Sequence, residues 1–286
     1  MKLKTFLTSS PQRAAEFIKL GGIVAFPTET VYGLGADVFN AGAIEKIFLA
    51  KCRPADNPLI AHVADLEQIT SLVSSITPVA EKFIAAFFPA PLTLVLPKNE
   101  RVPLAASAGL NTIGVRMPNH ALALEFLKDC GVPVVAPSAN LSGKPSPTTW
   151  QAVYDDLNER IEAILQGEQT FIGLESTVVD CTLETPLVLR VGAVTIEELQ
   201  KIVPETRLAA KDSAGAARSP GTRYKHYAPN AKVILVNSPA EISQTKNAAF
   251  IGLEKPLQNF KLQKICSSVE DYAHSLFAFF RAADEQ

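Results

Sequence analysis

The chain has 286 residues, 47% of them hydrophobic and 20% charged, with a net charge of −2. That balance suits an ordinary globular protein of about two domains and excludes a disordered chain. A pI near 6.1 argues against a protein held to nucleic acid mainly by phosphate contacts, while leaving room for a local basic pocket that takes a small anion.

In chain order, Ser10 is a suitable N-cap, Pro11 suits the first helical position and Gly21 the C-terminal stop of a first helix. Residues 22–27, GIVAFP, read as a buried strand, and a second helix follows from Asn40 through Cys52. Thr77-Pro78 opens a helix toward Phe88. LTLVLP, TIGVRMP and VPVVAPS read as strands ending near 97, 118 and 138, with a helix at about 119–129 between the last two. TTWQAVYDDL is a helix, STVVDC and PLVLRVG are strands, and Thr195 with Glu198 forms a capping box for another helix. Several connections are too short for a crossover helix, so the expected architecture is α/β with a mixed sheet.

Composition changes near 205–222, where ETRLAAKDSAGAARSPG lacks an apolar period and reads as a linker. Beyond it AKVILV and AAFIGL read as strands, and a helix near the end presents Tyr272, Leu276, Phe279 and Phe280 on its apolar face. The expected domains are 1–205, a linker at 206–229 and a small α/β unit at 230–286, which stops where another strand is expected and so reads as incomplete. The apolar run at 83–96 is short and carries two prolines, so it reads as core, and the N-terminus has no signal-peptide core. Cys52, Cys130, Cys181 and Cys266 form no CxxC, which fits a reducing, cytoplasmic setting.

The common nucleotide and metal motifs fail. Val38 stands where a dinucleotide fingerprint needs its third glycine, and Ser138 where a P-loop needs its first. His62, His120, His226 and His274 have no ligand spacing, so no protein metal cage is expected; a metal would come with a phosphate.

Five polar segments carry the candidate chemistry. PTETVYGLGAD (27–37) puts Thr28, Thr30 and Tyr32 after a buried strand, on one side if the strand continues. KCRPADNPLIAH (51–62) supplies Lys51, Arg53, Asn57 and His62. Its two cations suit either a helix dipole or a polyphosphate. In NTIGVRMP (111–118) Arg116 lies inside an apolar strand and needs an anion, either a structural acid or a ligand carboxylate. APSANLSGKPSPT (136–148) offers Ser138, Asn140, Ser142, Lys144 and Ser146 as an anion loop, although such residues are also ordinary loop chemistry. The last segment combines Ser176, Arg190 and the RYKH run, Arg223 to His226, which composition alone reads as a surface turn.

Taken in order over roughly residues 10–235, these segments resemble the threonylcarbamoyl-AMP synthase family in its long form. The resemblance implies a YrdC-like fold, a twisted open mixed sheet with helices, followed by a smaller Rossmann-like domain. It implies synthesis of threonylcarbamoyl-adenylate and pyrophosphate from L-threonine, bicarbonate and ATP, with Mg²⁺ on the phosphates. Other proteins then carry the group to tRNA, next to the anticodon. Carried onto this chain, the threonine pocket falls on Thr30, His62, Arg116, the Ala136 backbone and Ser176. The ATP contacts fall on Arg53, Asn57, Thr112, Ser138, Ser146 and Arg190, with Tyr224 and His226 brought in by the linker, and Lys51 and Arg53 form the basic catalytic motif. Two other readings stand beside it. An RNA-binding module is opposed by the net charge of −2 and the missing basic stripe with interleaved aromatics. A hydrogenase-maturation carbamoyltransferase would call for appended zinc-finger and acylphosphatase-like segments, which the sequence lacks.

Overall fold

The structure, a computed structural model, describes residues 4–210, 228–242 and 246–286. In chain order the elements are β1 (Phe6–Thr8), α1 (Pro11–Lys19), β2 (Val24–Phe26), β3 (Gly33–Asp37), α2 (Ala41–Lys51), β4 (Ile60–His62), α3 (Leu66–Leu72), α4 (Pro78–Phe87), β5 (Leu92–Pro97), α5 (Leu104–Ser107), β6 (Thr112–Arg116), α6 (Ala121–Cys130), β7 (Val134–Ala136), α7 (Trp150–Leu157), β8 (Ala163–Leu165), β9 (Thr177–Asp180), β10 (Leu187–Arg190), α8 (Ile196–Ile202), β11 (Arg207–Leu208), β12 (Ala249–Gly252), β13 (Leu262–Ile265) and α9 (Val269–Asp284). The helix starts follow their caps. Ser10, Asn40, Thr77, Thr149 and Ser268 each accept a backbone N–H with the side chain, and Thr195 with Glu198 closes both halves of its capping box.

Eleven strands form one sheet in the order β1-β8-β2-β3-β7-β4-β6-β5-β9-β10-β11. It is mixed: β2, β7 and β4 run antiparallel to their neighbours β3, β3 and β7, whereas β4–β6 and β5–β9 are parallel. Both faces are covered. Along β2, Val24 and Phe26 pack with Ala14, Ile18, Phe126 and Leu127 of α1 and α6, while Ile23 and Ala25 face the larger core with Ile44, Ile47, Ile69 and Phe83. This alternation follows the two-residue period of a strand. Each such Val, Ile, Leu or Phe side chain taken out of water contributes roughly 1.5–3 kcal/mol.

The hairpin between β2 and β3 pairs Phe26 with Gly33 and Val24 with Gly35. A Cβ at Gly35 would stand 2.6 Å from Val134 Cγ1 and 3.0 Å from the Phe26 ring, and one at Gly33 would stand 3.2 Å from Ala136 Cβ. The glycines of GLG therefore admit the Phe26 ring beside β7.

Beyond residue 227 the unit is small. β12 and β13 pair in parallel, and α9 packs on β12. AKVILV forms no strand; Val233, Ile234 and Leu235 are 57%, 70% and 90% exposed. Among the described residues no segment pairs with it, and apolar residues do not make a strand on propensity alone. Phe277 and Phe279 are the buried side chains of α9, so the expected stripe is right at Phe279 and misses Phe277. The reason is that α9 also docks on the larger unit: Arg281 donates to Asp156 at 2.8 Å and to the Pro145 carbonyl at 2.6 Å, and His274 Nδ1 meets the Phe171 carbonyl at 3.0 Å.

Candidate active site

One cavity gathers most of the polar segments. It is lined by Thr28, Thr30, Lys51, Arg53, His62, Arg116, Ala136, Ser138, Asn140, Glu175, Ser176 and Arg190, among others. His62 and Arg116 are register partners at the carboxyl ends of parallel β4 and β6. Ala136 comes from β7, which runs the other way. A three-residue strand is only about 7 Å long, so strands of both directions reach the same hollow.

The segment after β2 is not strand. Thr28 and Thr30 hydroxyls lie 2.8 Å apart in the cavity wall. Tyr32 turns away: its hydroxyl bonds the Gly167 carbonyl at 3.0 Å, and burial pushes its pKa up to about 12. The expected alternation through Thr28, Thr30 and Tyr32 thus fails at Tyr32. Backbone bonds from Tyr32 to Pro147, Leu34 to Pro137 and Ala139 to Tyr32 zip this segment against the PSAN loop.

The anion facing Arg116 is Glu29. Its Oε2 lies 2.6 Å from the guanidinium, and both side chains are buried. Arg116 also donates to the Thr30 hydroxyl at 2.9 Å. Of the two partners open for Arg116 on sequence grounds, the structural acid is present, one residue before Thr30. Beside it, burial and then the Arg116 charge lower the His62 pKa to about 3, so the ring is neutral at ordinary pH.

Lys51, fully buried at the end of α2, gives its ammonium to the carbonyls of Ser138 and Asn140. Burial, then the Arg53 charge, pull its pKa well down, and the carbonyls favour the charged form against that pull. Lys51 is therefore an anchor of the PSAN loop at the cavity wall. Lys144, placed by sequence in the same loop, pairs with Asp156 at 2.9 Å instead. Arg53 approaches the Asn57 carbonyl at 3.3 Å. The Asn57 amide is buried with no hydrogen-bond partner among the described residues. Arg190 donates to the Ser176 carbonyl and hydroxyl at 2.9 and 3.1 Å, and Thr93 shares a 2.8 Å bond with that hydroxyl.

Thr112 stands at the amino end of β6, four residues from Arg116, a distance of about 13 Å at strand rise, and does not line the cavity. Ser146 is not among the lining residues but joins one of them, Glu175, whose Oε1 accepts from its hydroxyl at 2.6 Å. Tyr224 and His226 lie outside the described residues. Sequence reasoning missed Glu29 and Glu175. The signals were there: an acid beside Thr30 for a buried arginine, and an acid beside Ser176.

Comparison with known proteins shows the family. Residues 16–192 match the Sua5/YciO/YrdC family model, described as telomere recombination, and residues 194–286 match the C-terminal domain model of threonylcarbamoyl-AMP synthase. The chain belongs to the threonylcarbamoyl-AMP synthase family. It is 49% identical over 231 residues to the synthase of Pyrococcus abyssi, covering 80% of this chain and 68% of that one. Against the Bacillus subtilis synthase the figures are 43% over 239 residues, 82% and 69%. The crystal structure of P. abyssi Sua5 complexed with L-threonine superposes with a TM-score of 0.90 at 39% identity, over 100% of this chain and 90% of that one. The family's mixed sheet, helices and separate C-terminal unit are those described above. No helix among the described residues is long and apolar enough to cross a membrane.

Proposed function

We propose that this chain is a nucleotidyltransferase that condenses L-threonine, bicarbonate and ATP into L-threonylcarbamoyl-adenylate and pyrophosphate, the donor for threonylcarbamoyladenosine in tRNA. The observation that carries this reading is a single cavity whose wall holds Lys51, Arg53, Arg116 and Arg190 together with the hydroxyls of Thr30, Ser138 and Ser176. Such a wall suits two anions held side by side and needs no protein nucleophile. Threonine would lie against Thr30, neutral His62, Arg116, the Ala136 backbone and Ser176. The nucleotide would be met by Arg53, Asn57, Ser138, Ser146 and Arg190, and, from outside the described residues, by Tyr224 and His226. Thr112, at the amino end of β6 and outside the cavity's lining, would complete the nucleotide set.

The chemistry follows from the charges. Threonine's amine adds to bicarbonate and gives a carbamate. A carbamate oxygen attacks the α-phosphorus, and pyrophosphate leaves. The arginines neutralise charge that builds on the phosphates. Mg²⁺ would enter on the nucleotide phosphates. The product would pass to the tRNA threonylcarbamoyltransferase machinery in the cytoplasm, with little direct hold on nucleic acid at a net charge of −2. Incubation with threonine, bicarbonate, Mg²⁺ and ATP should release pyrophosphate and yield the adenylate by mass spectrometry. Release that is indifferent to threonine would count against the proposal.

A further inference from the structure

Among the described residues the cavity wall contains one carboxylate beside its cations, that of Glu175. It sits directly before Ser176 and accepts a hydrogen bond from Ser146, so it stands where the amino-acid and nucleotide sets meet. Among the described residues it makes no ion pair. Arg116 is taken by Glu29 at 2.6 Å, and Arg190 is turned to Ser176. A carboxylate with no ion pair of its own, in a hollow that receives anions, is matched by a cation that arrives with them. Threonine brings one, its α-ammonium. That ammonium has no lone pair and cannot add to bicarbonate until it loses a proton.

Resting on the synthase reading above, we propose that Glu175 receives threonine's α-ammonium and accepts its proton, so that carbamate formation begins there. The carboxylate takes one proton and leaves a neutral amine. The amine nitrogen bonds the bicarbonate carbon, a C–O bond breaks, and water departs with the bicarbonate hydroxyl and one N–H proton. One carbamate results. The proton on Glu175 leaves to solvent through the cavity, toward which this half-buried side chain is partly exposed.

The surroundings suit a base. Burial raises the Glu175 carboxyl above its ordinary range, against the opposing pull of Arg190 on β10, the Ser146 hydroxyl and Arg116 on β6. Lys51, Arg53 and neutral His62 also line the cavity. A raised carboxyl is a stronger proton acceptor and narrows the gap to an ammonium.

The test uses Glu175→Gln in two directions of the reaction. Synthesis needs the amine deprotonated. Pyrophosphorolysis, in which added threonylcarbamoyl-adenylate and pyrophosphate return ATP, does not. The glutamine variant should lose roughly 100-fold or more in kcat for synthesis at neutral pH, keep pyrophosphorolysis within about threefold, and regain synthesis as pH rises and threonine loses its proton unaided. Glu175→Asp should recover part of the loss. Equal loss in both directions, or a loss repaired by extra Mg²⁺, would assign Glu175 to the nucleotide or to support of Ser146 and overturn the proposal. Unchanged synthesis would overturn it too. If the unaltered protein itself made no ATP in pyrophosphorolysis, the synthase reading would fail instead, so the two failures are distinct.

Discussion

Replacing Arg116 by alanine removes one half of an ion pair in which the side chains are 5% and 0% exposed, 2.6 Å apart. Glu29 then stays behind with its other oxygen already lacking a hydrogen-bond partner among the described residues. Breaking such a buried pair costs about 3–5 kcal/mol, because a charge is left without compensation. For a unit of this size each kcal/mol moves the midpoint by roughly 2–4 °C, so the melting temperature should fall by about 6–20 °C. The pair can also be removed together. Glu29→Gln with Arg116→Met should recover most of the loss, since replacing both buried charges is often close to neutral. It should not recover threonine binding, because the cation in the pocket is gone. Thermal unfolding of the three proteins, with calorimetric titration of threonine and of ATP, separates the effects. A single variant as stable as the parent, a double variant no better than the single, or equal loss of threonine and ATP affinity would refute the reasoning.

Gly35→Ala should destabilise by about 1–3 kcal/mol, read from the chemical denaturation midpoint, because its Cβ would stand 2.6 Å from Val134 Cγ1; an unchanged midpoint would contradict this. The His62 pKa is about 3 when folded against about 6.5 unfolded. The unfolded chain therefore binds the proton first, and stability present above pH 6.5 is lost as pH falls toward 3, by up to about 1.4 kcal/mol per unit. His62→Gln should flatten that part of the profile, and parallel profiles would sink the assignment. Arg281→Ala removes the bonds from α9 to Asp156 and the Pro145 carbonyl. Hydrogen exchange of the α9 amides should speed up several-fold while those of β4 and β6 do not change; unaltered α9 exchange would mean that the contact does not hold the helix.

Local chemistry made the helices legible. Ser10, Asn40, Thr77 and Thr195 announce their caps whatever the tertiary context. The short elements were hidden. Ile60–His62 is three residues after a proline-bent loop, and Gly33–Asp37 opens with glycines that argue for a loop until the Phe26 ring beside them is known. Both are strands because neighbours pair with them, which no window of sequence reports. The same holds in the site. Arg53, His62, Arg116, Ser138, Ser176 and Arg190 were readable from ordered motifs and do meet in one cavity. That Lys51 spends its ammonium on two carbonyls, that Glu29 serves Arg116 and that Tyr32 faces Gly167 depend on side-chain direction, set by packing rather than by spacing.

The most direct measurement of the central claim follows the carbon of bicarbonate. With isotopically labelled bicarbonate, threonine, ATP and Mg²⁺, the account predicts a threonine-dependent adenylate that carries the label in its carbamoyl group, one per pyrophosphate released. An adenylate without the label, or pyrophosphate released in equal amount when threonine is left out, would contradict it.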